Sequence, residues 1–232
     1  MLEIENATGG YGKTRIIENA SLKVESGEIV ALLGRNGVGK TTLMKYAMGL
    51  INVEAGEVRL DNKKVPTTTA RRVRAGIGYV PQGRFVFPRL TVEENIAAAA
   101  AANKKDRKTT VSDALETFPL LQPKANTLAG KLSGGQQQVL AMARALATDP
   151  TVLLLDEPTE GIQPSIIDDI AGIIKQLNAE RGISILVAEQ DLEFCRAVAK
   201  RAYVMDRGQI VQEVSIEDLF ADQELVQRLL GV

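Results

Sequence analysis

The chain contains no histidine. That excludes histidine-based catalysis and histidine metal ligands. A single cysteine, Cys195, rules out an intrachain disulfide. A reducing cytosol fits, and Cys195 reads as a packed, inert thiol. No stretch approaches the ~20 apolar residues that a spanning helix needs. Any membrane role is therefore expected to come through a partner protein. The opening "MLEIENATGG" carries charge early and has no long apolar run, so a signal peptide is not expected. Neither sign of charge dominates: 28 Lys plus Arg face 29 Asp plus Glu, a net −1. That balance argues against nucleic acid or bare anionic lipid as a partner.

What is present can fill a substantial core. The 232 residues are 45% hydrophobic, enough for one large α/β domain or two small ones. Short strands are predicted over residues 2–6, 21–24, 29–33 and 57–60, with turns at "GGYG", "ESGE" and "LDNKK". A helix follows Gly39, because Leu43, Tyr46, Ala47 and Leu50 share one face. "GIGYVPQ" reads as a strand ending at Pro81. Residues 91–129 read as helical, with an unbroken alanine run at 97–102. Alanine has the highest helix propensity but little side chain to bury, which implies a helical subdomain, or else a helix covering the core. Beyond it, "TVLLLDEP" and "ISILVAEQ" are apolar strands, 164–180 and 192–200 are helices, and "AYVMDRGQIV" is a hairpin. Residues 216–230 read as two short helices. Continuous apolar strands alternating with helices imply a parallel sheet covered on both faces.

"GRNGVGKTT" comprises Gly34, Arg35, Asn36, Gly37, Val38, Gly39, Lys40, Thr41 and Thr42. It matches G-x-x-x-x-G-K-[ST], follows the apolar strand "IVALL" and opens a helix, which is the context a phosphate loop needs. Backbone N–H groups would close around phosphate oxygens, Lys40 would reach the terminal phosphates, and Thr41 would offer its hydroxyl to Mg²⁺. The alternative, a glycine-rich turn with a chance lysine, leaves that context unexplained. A buried strand ending in Asp156 and Glu157 sets two acids at the carboxyl edge of the sheet, where ligands bind. Asp156 would hold Mg²⁺ through water; Glu157 would lie beside the γ-phosphate and orient or deprotonate the attacking water.

A second anion-binding pattern stands further along, in "KLSGGQQQVLAMARAL". Ser133 can cap a helix with Gln136 three residues later. Capping alone does not explain Gly134 and Gly135, each of which costs roughly 1 kcal/mol inside a helix. "LSGGQ" (Leu132, Ser133, Gly134, Gly135, Gln136), with the phosphate loop and "LLLDEP", resembles the nucleotide-binding subunit of an ABC transporter across essentially the whole chain. The fold implied is a P-loop NTPase of the ABC ATPase type: α/β, with a mainly parallel core sheet, a β-rich edge subdomain and a helical subdomain. One ATP-binding domain over 1–232 is expected, with a core lobe near 1–87 and 136–232 and a helical signature lobe near 88–135.

The resemblance implies further roles. Tyr11 in "GGYG" stands where the family stacks an aromatic ring on adenine. Gln82 in "YVPQ" stands where a glutamine reaches Mg²⁺ and senses the membrane partner, so residues 82–93 would receive a cytoplasmic helix of a permease. Two subunits would pack head to tail, so that "LSGGQ" serves the γ-phosphate of the neighbour. Cofactors would be ATP and Mg²⁺. Two departures from the superfamily pattern stand out. Gln190, in "LVAEQDL", occupies a slot that usually holds histidine; it can position a phosphate but cannot exchange a proton near neutral pH. The loop after Glu157, commonly Ser-Ala-Leu-Asp, here reads Glu160, Gly161, Ile162, Gln163.

Glutamine in that slot, "PQGRFVFPRLTVEEN", "DEPTEGIQPSI" and the final "LLGV" are similar to ATPases of the branched-chain amino acid and urea importers, the urea type especially. That implies a second ATPase, a different chain in the importer with a homodimer possible for the isolated chain, two permeases and a solute-binding protein, with this chain peripheral on the cytoplasmic face of the inner membrane. A non-transport ABC ATPase would bring long coiled coils or a tandem cassette, and neither is present. A small-molecule kinase would leave "LSGGQ" unexplained.

Overall fold

The computed structural model describes residues 1–101, 106–221, 224, 226 and 227. The chain opens with β1 (Leu2–Tyr11), β2 (Thr14–Val24) and β3 (Ile29–Leu33), followed by α1 (Lys40–Met48), β4 (Asn52–Leu60), β5 (Lys63–Lys64), α2 (Thr69–Arg74) and β6 (Ile77–Val80). Three helices come next: α3 (Val92–Ala100), α4 (Arg107–Thr117) and α5 (Gly134–Leu146). Then β7 (Val152–Asp156), α6 (Pro164–Arg181), β8 (Ser184–Glu189), α7 (Leu192–Val198), β9 (Arg201–Asp206), β10 (Gln209–Ser215) and α8 (Ile216–Ala221) complete the order.

Two sheets result. The core sheet runs β10-β9-β3-β8-β7-β6, parallel except for β10, which pairs antiparallel with β9. The second sheet, β2-β1-β4-β5, is antiparallel. The apolar central strands are buried on both faces, as parallel sheets require. In β3, Ala31 and Leu33 face the cluster that holds α3, α4 and α5, while Val30 and Leu32 face the cluster shared with α1 and the antiparallel sheet. β7 and β8 alternate in the same way: Leu153 and Leu155 against Leu154, Val187 against Leu186. The α/β class with a mainly parallel core sheet and a β-rich edge is thus present.

Several boundaries differ from expectation. "GGYG" is a strand end rather than a turn: Gly9, Gly10 and Tyr11 belong to β1, and the reversal falls at residues 12–13. The pairing register shifts around Gly9 and Gly10, and a Cβ on Gly9 would strike the Asn52 carbonyl. Close backbone approach from β4, rather than a turn, requires that glycine. The predicted helical run 91–129 is broken into α3, α4 and two short 3₁₀ turns at Gln122–Lys124 and Ala129–Lys131. Thr91 starts α3 through a reciprocal capping box with Glu94. Within the alanine run, Ala102 lies outside the described residues. Of the two expected tail helices, α8 is the first; most of the second, and the "LLGV" ending, lie outside them too.

Candidate functional site

The site is assembled at the carboxyl edge of the core sheet, where β3 and β7 end. β3 runs into the loop 34–39, and Gly39 enters α1 at φ 116°, a conformation that a side chain would strain. The loop wraps the Lys40 ammonium, which is almost wholly buried. Lys40 Nζ donates to the carbonyls of Gly34 at 2.7 Å and Arg35 at 3.2 Å, and lies 3.3 Å from Glu157 Oε1. The next residue, Thr41, donates its hydroxyl to Asp156 Oδ1 at 2.9 Å.

Asp156 is fully buried. Its second oxygen accepts from the Tyr79 hydroxyl at 2.9 Å. Burial pushes the Asp156 carboxyl above its ordinary range, and its two hydrogen bonds pull it back. Burial, with Asp156 beside it, raises the Tyr79 phenol, so that group stays a donor. Glu157 leaves β7 in a left-handed conformation, φ 48°, with its N–H donating to the Ala188 carbonyl at 2.9 Å. Such a backbone is uncommon for a non-glycine residue and here turns the carboxylate toward Lys40. Gln82, just beyond β6, completes the cluster: Nε2 donates to Glu157 Oε2 and to Glu160 Oε2, both at 3.0 Å.

The structure therefore brings these five residues together in two adjoining hydrogen-bonded groups, Lys40–Glu157–Gln82 and Thr41–Asp156, joined through the chain at 40–41 and 156–157. Tyr11 lies at the exposed end of β1, and Lys45 Nζ, from the half-buried outer side of α1, is 5.7 Å from its ring centroid. Gln190 is exposed at the end of β8, and its backbone N–H donates to Glu189. Leu132 is buried, while Ser133 and Gln136 cap α5 reciprocally: Gln136 N–H to Ser133 Oγ at 3.3 Å, Ser133 N–H to Gln136 Oε1 at 3.1 Å. The two glycines between them also have a packing reason within this chain. A Cβ on Gly135 would come 2.9 Å from Ile166 Cγ2, and one on Gly134 would meet the Arg84 guanidinium.

Sequence reasoning missed three members of the site. Tyr79 is one. Glu189 is another: it is buried at the end of β8, accepts from Thr159 N–H at 2.9 Å and Thr159 Oγ1 at 2.6 Å, and takes the N–H groups of Gln190 and Asp191 on its other oxygen. Burial raises its carboxyl above the usual range. It was findable, because "ILVAE" ends an apolar strand in an acid just as "VLLLD" does. The third, Glu160, had no local signal pointing to Gln82.

A glycine-rich loop at a helix start, a buried lysine and a carboxylate at the end of the strand two over, β7, define a nucleoside-triphosphate site of the P-loop kind. The family pattern of ABC transporters matches residues 17–160. The chain is 38% identical over 235 residues to the high-affinity branched-chain amino acid transport ATP-binding protein BraG of Pseudomonas aeruginosa, covering all of both chains. It is 34% identical to the lipopolysaccharide export system ATP-binding protein LptB of Haemophilus influenzae, covering all of this chain and 97% of LptB. Among solved structures it resembles the dimeric post-hydrolysis state of the ATP-binding cassette MJ0796 bound to ADP and Pi. That match has a TM-score of 0.81 at 29% identity and covers 93% of this chain and 99% of the cassette. The chain belongs to the ABC transporter family, as an ATP-binding subunit whose ATP hydrolysis is coupled to transport.

Proposed function

We propose that this chain powers a membrane importer for branched-chain amino acids, urea or short amides. The full-length likeness to BraG is the observation that carries this reading; the urea-type branch is favoured on the resemblance of "DEPTEGIQPSI". In this reading the loop 34–42 binds the ATP phosphates through its N–H groups and Lys40, and Tyr11 stacks on the adenine. Thr41, Asp156 and Gln82 offer a hydroxyl, a carboxylate and an amide oxygen, the hard oxygen donors that suit Mg²⁺. When bound, Mg²⁺ supplies charge neutralisation at the phosphates. Glu157 orients and deprotonates the attacking water, and Gln190 positions the γ-phosphate by hydrogen bonding. Residues 132–136 serve the nucleotide of a second ATPase packed head to tail; the similar cassette MJ0796 is dimeric in its post-hydrolysis state.

The division into a core lobe (1–87, 136–232) and a helical lobe (88–135) belongs to the same proposal, with the boundary at 135 falling in the first turn of α5. A groove of about 290 Å³, lined by Leu50, Tyr79, Arg84, Phe85, Ala141 and Arg144, opens beside the 82–93 segment. Phe85 is 68% exposed there, which fits a permease helix docking on it. None of the described helices is long and apolar enough to cross a membrane. The chain would then sit on the cytoplasmic face of the inner membrane, held by two permeases served by a solute-binding protein, with no role for nucleic acid. The test is uptake of radiolabelled leucine and urea by cells carrying the chain and its permeases, with and without Lys40→Ala. Uptake lost in the variant supports the reading. Uptake unaffected, with lipopolysaccharide export lost instead, would move the chain to the LptB-like role.

A further inference from the structure

Glu160 is an exposed carboxylate to which none of the steps above gives a task. Its Oε2 nevertheless shares the Gln82 Nε2 donor with Glu157, each at 3.0 Å. The backbone beneath it is fixed from several directions. Arg84 Nη2 donates to the carbonyls of Glu160 at 3.2 Å and Gly161 at 2.9 Å. Thr159 is tied to the buried Glu189 through both its N–H and its hydroxyl. The Glu160 N–H donates to the Glu157 carbonyl at 3.3 Å. Residue 160 is thus referenced to β7, β8 and the segment after β6 together, and only its side-chain rotamer remains to be set.

The consequence lies in the amide of Gln82. An ionised carboxylate accepts hydrogen bonds and donates none, whereas a primary amide has one donor end and one acceptor end. With carboxylates on both amide N–H groups, a single orientation is compatible with the surroundings: Nε2 toward Glu157 and Glu160, Oε1 away from them. The reversed amide would set its oxygen against two anionic oxygens. A hard divalent cation takes an oxygen ligand and is repelled by an amide N–H.

We propose that Glu160 is a positioning residue that locks the orientation of Gln82, so that the amide oxygen stays available to the cation. Glu157 cannot hold this post alone: its other oxygen is paired with Lys40 at 3.3 Å, and in the proposed reaction it engages the water. Glu160 has neither duty and keeps the amide fixed throughout. The inference rests on the reading of Gln82 as a residue of the Mg²⁺ side.

The test uses the full chain and a fluorescent ATP analogue, titrated with Mg²⁺ in the parent, Glu160→Ala, Glu160→Gln, Gln82→Ala and the double variant of Gln82→Ala with Glu160→Ala. Without Mg²⁺, the parent and Glu160→Ala bind the analogue alike. The Mg²⁺ concentration at half-saturation rises roughly three- to tenfold in Glu160→Ala, the worth of one partly exposed charge-assisted hydrogen bond. Glu160→Gln, whose amide can offer a donor to the reversed Gln82 amide as readily as an acceptor to the observed one, loses the lock and shifts the Mg²⁺ requirement about as far as Glu160→Ala. Gln82→Ala shifts the requirement at least as far as Glu160→Ala, and the double variant shifts it no further, because the two act through one group. A parental Mg²⁺ requirement in Glu160→Ala would overturn the proposal. So would a parental Mg²⁺ requirement in Glu160→Gln, which would show that an acceptor-only group at 160 is not needed, or additive losses in the double variant. A parent whose analogue binding ignores Mg²⁺ would overturn the cation-site reading itself, and the positioning role with it.

Discussion

The carboxyl end of β7 and the amino end of α5 border the same apolar cluster, yet they handle their polar groups in opposite ways. At β7, Asp156 and Glu157 are buried, and their oxygens are matched within the chain by Thr41, Tyr79, Lys40 and Gln82. Buried charge has to be paired, and here it is. At α5, Ser133 and Gln136 satisfy each other at an accessible surface, while the N–H groups of Gly134 and Gly135 have no partner among the described residues. The first N–H groups of any helix have no intrahelical acceptor, and the helix dipole favours an anion beside them. One region closes on itself, and in the proposed reading it exchanges a lysine–carboxylate pair for a nucleotide. The other faces outward, and in the proposed reading it takes its anion from another molecule.

The largest effect expected from breaking this contrast is at Glu157. Glu157→Gln should keep ATP binding and slow hydrolysis by the assembled transporter by about 10²- to 10⁴-fold, with an ATP-trapped dimer on a sizing column. Turnover left intact would deny Glu157 the role of base. Next comes Lys40. Lys40→Ala removes the ammonium proposed to reach the phosphates and leaves the buried Glu157 without its cation. A hydrogen bond from a charged group is worth about 1.5–3 kcal/mol, so ATP binding should weaken by roughly 10- to 10²-fold in a fluorescence titration. Affinity equal to the parent's would remove Lys40 from the phosphate site. The smallest is Gln190→Ala. Its side chain is exposed, and a positioning hydrogen bond to a charged group is worth about 1.5–3 kcal/mol. The loss in turnover should therefore fall below that of Glu157→Gln, and an equal loss would shift the catalytic emphasis to Gln190.

Much of the closed region was legible in the chain. Lys40 and Thr41 sit in a motif whose meaning is local, and Asp156 and Glu157 end an apolar strand whose burial follows from composition. The partners of those residues were not legible, because they depend on sheet order. Tyr79 reaches Asp156 only because β6 lies beside β7, 77 residues apart in sequence. Glu189 reaches Thr159 only because β8 is the other neighbour of β7. Glu160 meets Gln82 through a loop whose shape is set by Arg84 and Glu189 rather than by its own residues. In the edge sheet, a glycine pair that reads as a turn is a strand pressed against its neighbour's backbone. The start of α5 was readable because a capping box is a four-residue device.

The contrast between the two regions is tested most directly at Ser133. Ser133→Arg fills the space in front of the α5 amino end with a long side chain and leaves the Lys40 loop untouched. The isolated variant should bind ATP as the parent does. The assembled transporter should lose hydrolysis at the nucleotide held by the partner ATPase. ATP binding and turnover are to be measured separately on the variant alone and on the variant co-expressed with its partner. Loss of ATP binding by the isolated variant, with its fold intact by circular dichroism, would contradict the account, because the signature would then serve its own chain's nucleotide.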